Sequence, residues 1–127
     1  MEIGIKGYKE VMVVSENTAA TAGSGLLEVF STPSMVALME GACSDSVLPY
    51  LEEGKGTVGT SLVVKHLAAT PIGMKVTCES VLTAIDRRKL TFDVKAYDEA
   101  GLIGECVHER FIIDNEPFME KAQNRKK

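Results

Sequence analysis

Three side chains between Phe30 and Pro71 are of the types that acyl-transfer chemistry uses: the hydroxyl of Thr32, the carboxylate of Glu40 and the imidazole of His66. A carboxylate can attack an acyl group or take a proton from water. An imidazole moves protons near neutral pH, and a hydroxyl orients a carbonyl. Each residue also has a plainer reading. Thr32 precedes Pro33 and reads as the N-cap of a helix, with Pro33 at the first helical position, where a missing N–H costs nothing. Glu40 reads as a carboxylate at the rim of an apolar stripe, reaching water. Its neighbours three and four residues away, Val36, Ala37, Cys43 and Ser44, supply no cation. His66 follows Leu62-Val63-Val64-Lys65 near the end of a strand, where a structural histidine is the ordinary case.

Helix geometry limits how these groups can meet. Eight residues separate Thr32 from Glu40, which is roughly 12 Å along a helix axis and about 80° around it. Either a substrate spans them or one comes from a second subunit, so the spacing predicts a site at a subunit interface. A helix start at Thr32 also offers free N–H groups at the positive end of the dipole. With Pro33 unable to donate, Ser34 and Met35 are the donors expected to meet an oxyanion. Cys43, one turn beyond Glu40, is a rival nucleophile, but no local cation favours its thiolate, and it reads as a small buried hydrophobe. His108, between Val107 and Glu109, reads as a sheet-face residue.

The elements that must hold these residues follow from hydrophobic period. Met35, Val36, Met39, Ala42, Cys43, Val47 and Tyr50 recur at helical spacing, which predicts one long helix ended near Pro49 and Glu52-Glu53-Gly54. Its many small residues suggest close approach by a sheet. After Gly54 the period becomes two: Thr57 to Ala68, Met74 to Asp86, Lys89 to Asp98 and Leu102 to Asp114 read as strands, with Val11 to Glu16 as a short fifth. Leu90, Phe92, Val94 and Ala96 share one face while Thr91, Asp93 and Lys95 share the other, the pattern of an antiparallel sheet with one wet side. Asp86–Lys89 and Asp98–Gly101 read as hairpin turns, Asn17–Gly25 as a loop, and residues 116–127 as a polar, frayed tail. The expectation is an α+β domain spanning residues 1–127, a curved antiparallel sheet wrapped around one central helix.

Composition excludes several functions. At 127 residues the chain suits one domain, and 45% hydrophobic with 25% charged residues is ordinary globular composition. A net charge of −4 without a basic face argues against nucleic acid. Cys43, Cys78 and Cys106 are widely spaced and form no Cys-x-x-Cys, which argues against a metal site or a disulfide framework and for reduced thiols in the cytoplasm. No apolar run suits a membrane helix, and Met1–Glu10 lacks a signal peptide's apolar core. Gly23-Ser24-Gly25 lacks phosphate-loop spacing.

Taken in order, these pieces resemble the fluoroacetyl-CoA thioesterase-like family of hotdog-fold proteins. The resemblance rests on Val29-Phe30-Ser31-Thr32, Met35-Val36, Met39-Glu40 with Ala42-Cys43, Leu51-Glu52-Glu53-Gly54, Gly59-Thr60, His66 with Ala68-Ala69-Thr70-Pro71, Arg87-Arg88-Lys89-Leu90 and His108-Glu109-Arg110. It covers roughly residues 8–114. It implies a hotdog fold, a homodimer or tetramer joined through sheets, and a catalytic set of Thr, Glu and His, here Thr32, Glu40 and His66. The implied reaction is hydrolysis of an acyl-CoA to a carboxylate and CoA, with no cofactor beyond the CoA of the substrate. Glu40 would attack the thioester or activate water, His66 would move protons, and Thr32 would position the carbonyl or Glu40. Arg87, Arg88 or Lys89 could meet CoA phosphates, or simply form a charged hairpin turn.

One departure bears on the substrate. The fluoroacetate-specific member closes its pocket with aromatic residues before the catalytic Thr. Here Thr21-Ala22-Gly23-Ser24-Gly25-Leu26-Leu27 contains none, so the fluorinated substrate does not carry over. A Gly-containing lid over a general pocket for a small acyl group is expected instead. The competing reading is a non-catalytic acyl-CoA-binding or regulatory hotdog protein, which retention of all three residue types disfavours.

Overall fold

A computed structural model describes residues 1–126 of the chain. Strand β1 (Lys6–Met12) is followed by a one-turn helix α1 (Ala19–Ala22), the long helix α2 (Thr32–Val47), then β2 (Lys55–His66), β3 (Lys75–Asp86), β4 (Lys89–Asp98), β5 (Gly101–Asp114) and helix α3 (Asn115–Gln123). The strands form one antiparallel sheet in the order β1-β3-β4-β5-β2. This is the expected curved sheet with α2 against one face. The outer edges of β1 and β2 have no strand partner among the described residues.

Alternation explains the core. Leu90, Phe92, Val94 and Ala96 all face inward and are buried. They meet the α2 stripe of Met35, Leu38, Met39, Ala42, Cys43 and Val47. Two residues assigned to that stripe by period do not belong to it. Val36 is only half-buried, and Tyr50 lies beyond the helix in an exposed turn, with Leu38 taking the place in the core. The close helix–sheet approach is real: a Cβ on Gly104 of β5 would fall 2.6 Å from the Met35 sulfur.

Beyond shifts of one or two residues at the ends of β2, β3 and β5, four boundaries differ from the sequence expectation. The first strand lies at Lys6–Met12 rather than Val11–Glu16. Asn17 ends it by accepting the Val14 N–H (2.9 Å) and donating to the Met12 carbonyl (3.0 Å). Its polar inward Lys9 obscures the alternation; Lys9 lies across Gly41 and pairs with Asp45 at 3.2 Å. The Asn17–Gly25 segment contains the α1 turn, capped by Thr18 and closed by Gly23 at φ 74°. Helix α2 is capped by Ser31, not Thr32: the Ser31 hydroxyl accepts the Ser34 N–H at 3.1 Å. Finally, residues 116–123 of the tail expected at 116–127 are helical, although none is buried, and Lys127 lies outside the described residues. Pro117 falls in the first turn of α3, where proline is tolerated.

Candidate active site

The start of α2 is pinned from two sides. Phe30 N–H donates to the Thr70 carbonyl (2.8 Å) and Ser31 N–H to the Asn17 carbonyl (2.9 Å). Beyond β2, Leu67 and Ala68 both donate to the Ile103 carbonyl, and Thr70 donates through its hydroxyl to Asp98 at 2.8 Å. These ties draw the end of β2 over the first turn of α2. As a result Thr32 Oγ1 lies 2.7 Å from His66 Nδ1. The pair sits in a cleft of ≈ 320 Å³ walled by small residues including Ala19, Ser24, Ala68 and Ala69. A larger groove of ≈ 670 Å³ lies on the sheet's outer face, among Tyr8, Glu79, Lys95 and Tyr97, away from this pair.

Burial lowers the His66 pKa below the usual imidazole value of 6.5, so the ring is neutral at pH 7. Its Nε2 is buried and has no hydrogen-bond partner among the described residues. A neutral imidazole with one nitrogen committed to a hydroxyl and the other free can take or give a proton at the free position.

Glu40 is placed elsewhere. Its Oε2 lies 3.6 Å from Nη1 of Arg110 on β5, and no hydrogen bond joins it to Thr32 or His66 among the described residues. The cation missing from the helix thus comes from across the fold. The Arg110 side chain is 7% exposed against 37% for Glu40. Its Nε donates to Thr57 Oγ1 (2.8 Å), Nη2 to the Thr57 carbonyl (2.9 Å), and Nη1 lies 3.1 Å from His108 Nε2. His108, expected on a sheet face, is fully buried on the face toward the core. Arg110 lies on β5, so helix spacing around Glu40 gives no sign of it. The available signal was period two: Gly104, Cys106, His108 and Arg110 alternate inward along β5.

Gly59 makes room for the carboxylate. A Cβ there would lie 2.6 Å from Glu40 Oε2. The register of β2 against β5 shifts between Gly59 and Ser61, a bulge beside the carboxylate. The nearest atom ends a flexible side chain, and the His108 ring at 3.2 Å needs to give only a few tenths of an ångström, so Gly59→Ala should fold while displacing Glu40. We expect a loss of at least about tenfold in the hydrolase activity that the sequence resemblance implies, with little change in melting temperature, checked by steady-state kinetics beside a thermal melt. Unchanged kcat would show that the Glu40 position is not critical.

The other candidates separate cleanly. Cys43 is fully buried, and burial pushes its thiol up to about 12, which removes it as a nucleophile at neutral pH. Burial likewise raises Cys78 to about 12 and Cys106 to about 11. Arg87, Arg88 and Lys89 each face a carboxylate, Asp86, Asp114 and Glu109 respectively. The two expected oxyanion donors are occupied: Ser34 N–H by the Ser31 hydroxyl, Met35 N–H by the Ser31 carbonyl. Pro33 has no N–H, which leaves Thr32 N–H as the first-turn donor without a partner among the described residues. No three of the described His, Cys, Asp and Glu residues gather as a metal site.

Comparison with known proteins bears on the family and the fold. Residues 13–116 match the family model described as fluoroacetyl-CoA-specific thioesterase. The fluoroacetyl-CoA thioesterase of Streptantibioticus cattleyicolor is 44% identical over 98 residues, covering 77% of this chain and 70% of that protein. A crystal structure of a fluoroacetyl-CoA thioesterase variant in complex with acetyl-CoA superposes with a TM-score of 0.95 at 34% identity, covering all of both chains. A Thermus thermophilus protein of the thioesterase superfamily superposes with a TM-score of 0.88 at 29% identity, covering 98% of this chain and 94% of that one.

Proposed function

This chain belongs to the fluoroacetyl-CoA-specific thioesterase family and is an acyl-CoA thioester hydrolase, and from that premise we propose that it cleaves a small acyl-CoA at Thr32, His66 and Glu40. The observation that carries the assignment of residues is the 2.7 Å contact between Thr32 Oγ1 and His66 Nδ1 at the mouth of a cleft. In this reading His66 donates its Nδ1–H to Thr32, which leaves the Nε2 lone pair facing the substrate. The Thr32 O–H and N–H point to the thioester oxygen and stabilise the oxyanion.

The proposed reaction balances with water alone. Glu40 takes one proton from water as its oxygen bonds to the carbonyl carbon. The tetrahedral intermediate collapses, and the C–S bond breaks with its electron pair going to sulfur. The proton held by Glu40 passes to His66 Nε2 and from there to the thiolate. The acid product releases its own proton to solvent. No cofactor beyond the CoA of the substrate is required.

The assembly proposed is a homodimer joined through β2. That strand is a long unpaired edge, and Val63 and Leu67 on or beside it are 66% and 53% exposed. Antiparallel pairing of two copies along this edge would run His66, at the end of β2 in one copy, back toward Gly59, nearer the start of β2 in the other. Glu40 rests on Gly59, so the carboxylate of one copy would approach the imidazole of the other. No helix of the described residues is long and apolar enough to cross a membrane, and three free, buried cysteines suit a cytoplasmic home.

The acyl group is proposed to be small and unfluorinated, since residues 21–27 carry no aromatic to close over it. A thiol-release assay over acyl-CoAs of increasing length tests this directly. Turnover should be best with short chains. Binding of acyl-CoA without any turnover would instead identify a binding protein.

A further inference from the structure

We propose that His108 is a positioning residue that acts through Arg110 to hold the Glu40 carboxylate in place; this rests on Glu40 serving the hydrolysis as described above. His108 Nδ1 lies 2.9 Å from the Ser61 carbonyl. A carbonyl only accepts, so Nδ1 carries the proton. Nε2 then has only a lone pair, and at 3.1 Å it accepts from Arg110 Nη1. His108 is therefore neutral in one tautomer, tied to β2 on one side and to the guanidinium on the other.

The groups around the ring all support that state. Arg110 faces it from β5 and Glu40 from α2, Ser61 supplies a carbonyl from β2, and Phe92 stacks from β4 with ring centroids 6.2 Å apart. Protonation would turn an acceptor toward a guanidinium into a donor and bury two cations together. Thr57 holds the Nε and Nη2 edges of the Arg110 plane and His108 accepts from Nη1, which lies 3.6 Å from Glu40 Oε2. The same ring lies against Gly59, where a Cβ would come within 3.2 Å of its Cε1. The histidine therefore also bounds the space that the carboxylate occupies.

The test compares His108→Phe, which keeps the stacking but removes both polar contacts, with His108→Gln, whose amide can donate to Ser61 and accept from Arg110. Thiol release is measured for each, alone and in a Glu40→Gln background. The expected result is a kcat reduced about tenfold or more in His108→Phe with KM little changed, and most of it recovered in His108→Gln. In the Glu40→Gln background the His108→Phe cost should vanish. Wild-type kcat in His108→Phe, or a full additional loss in the double variant, overturns the proposal while leaving the hydrolase reading intact. Full activity in Glu40→Gln overturns both this proposal and the catalytic role of Glu40. If His108→Phe does not fold, nitrogen-15 NMR of the wild-type protein decides, since it has only two histidines. A neutral His108 protonated on Nδ1 at pH 7 supports the proposal, and an imidazolium or the opposite tautomer overturns it.

Discussion

Glu40→Gln is expected to lower kcat for thioester hydrolysis by about 10²–10⁴-fold, the usual contribution of a general base, while changing KM little. The substitution keeps the shape of the side chain and removes only its ability to take a proton. The helix should be indifferent, because Glu and Gln have nearly equal helix propensity. The lost charge faces Arg110, but that guanidinium keeps its bonds to Thr57 and His108. With Glu40 37% exposed, solvent already screens the pair. A melting temperature within a few degrees of wild type is expected, so the kinetic loss reads as chemistry rather than unfolding. Steady-state thiol release on the best acyl-CoA, with a thermal melt alongside, checks both halves. Wild-type turnover in this variant would remove Glu40 from the mechanism and leave the fold untouched.

The second large effect is a gain. His66→Ala and Glu40→Gln should each be nearly inactive alone, yet an equimolar mixture, unfolded together and refolded, should recover roughly a quarter of wild-type activity. Random pairing makes half the dimers mixed. In a mixed dimer one site inherits both lesions, and the other has an intact His66 from one copy and an intact Glu40 from the other. That arithmetic holds only if each site is built across the β2 edge. Sites contained within one chain would recover nothing, because every chain carries one lesion. The experiment therefore tests the dimer geometry separately from the identity of the catalytic groups.

Much of the architecture is legible before folding because it depends on local periodicity. Strand β4 ends where the alternation ends, at Lys89 and Asp98, and the four inward residues named from period two are the four buried ones. The helix is equally visible, though its cap moves by one residue, since Ser31 and Thr32 are both good caps and only the direction of the Ser31 hydroxyl decides between them. Strand β1 is misplaced for a physical reason. As an edge strand it presents Lys9 inward, and its ladder to β3 supplies the stability that its own side chains do not. Helix α3 is missed because Phe118, Met119 and Ala122 are its only apolar residues, too few to set a helical period.

The site divides along the same line. Residue types and their order select Thr32, Glu40 and His66 as a set, and helix geometry alone separates Thr32 from Glu40. Sequence determines these things because they depend on chemistry and on distances along one element. Only the tertiary structure decides that Thr32 touches His66, since their contact requires residues 67–71 to fold back over the start of α2. Only it supplies Glu40 with Arg110, Gly59 and, through Arg110, His108, because those partners lie on β2 and β5, about 20 to 70 residues away in sequence. A buried charge acquires its meaning from what the sheet brings beside it, and that pairing is a property of the register between strands.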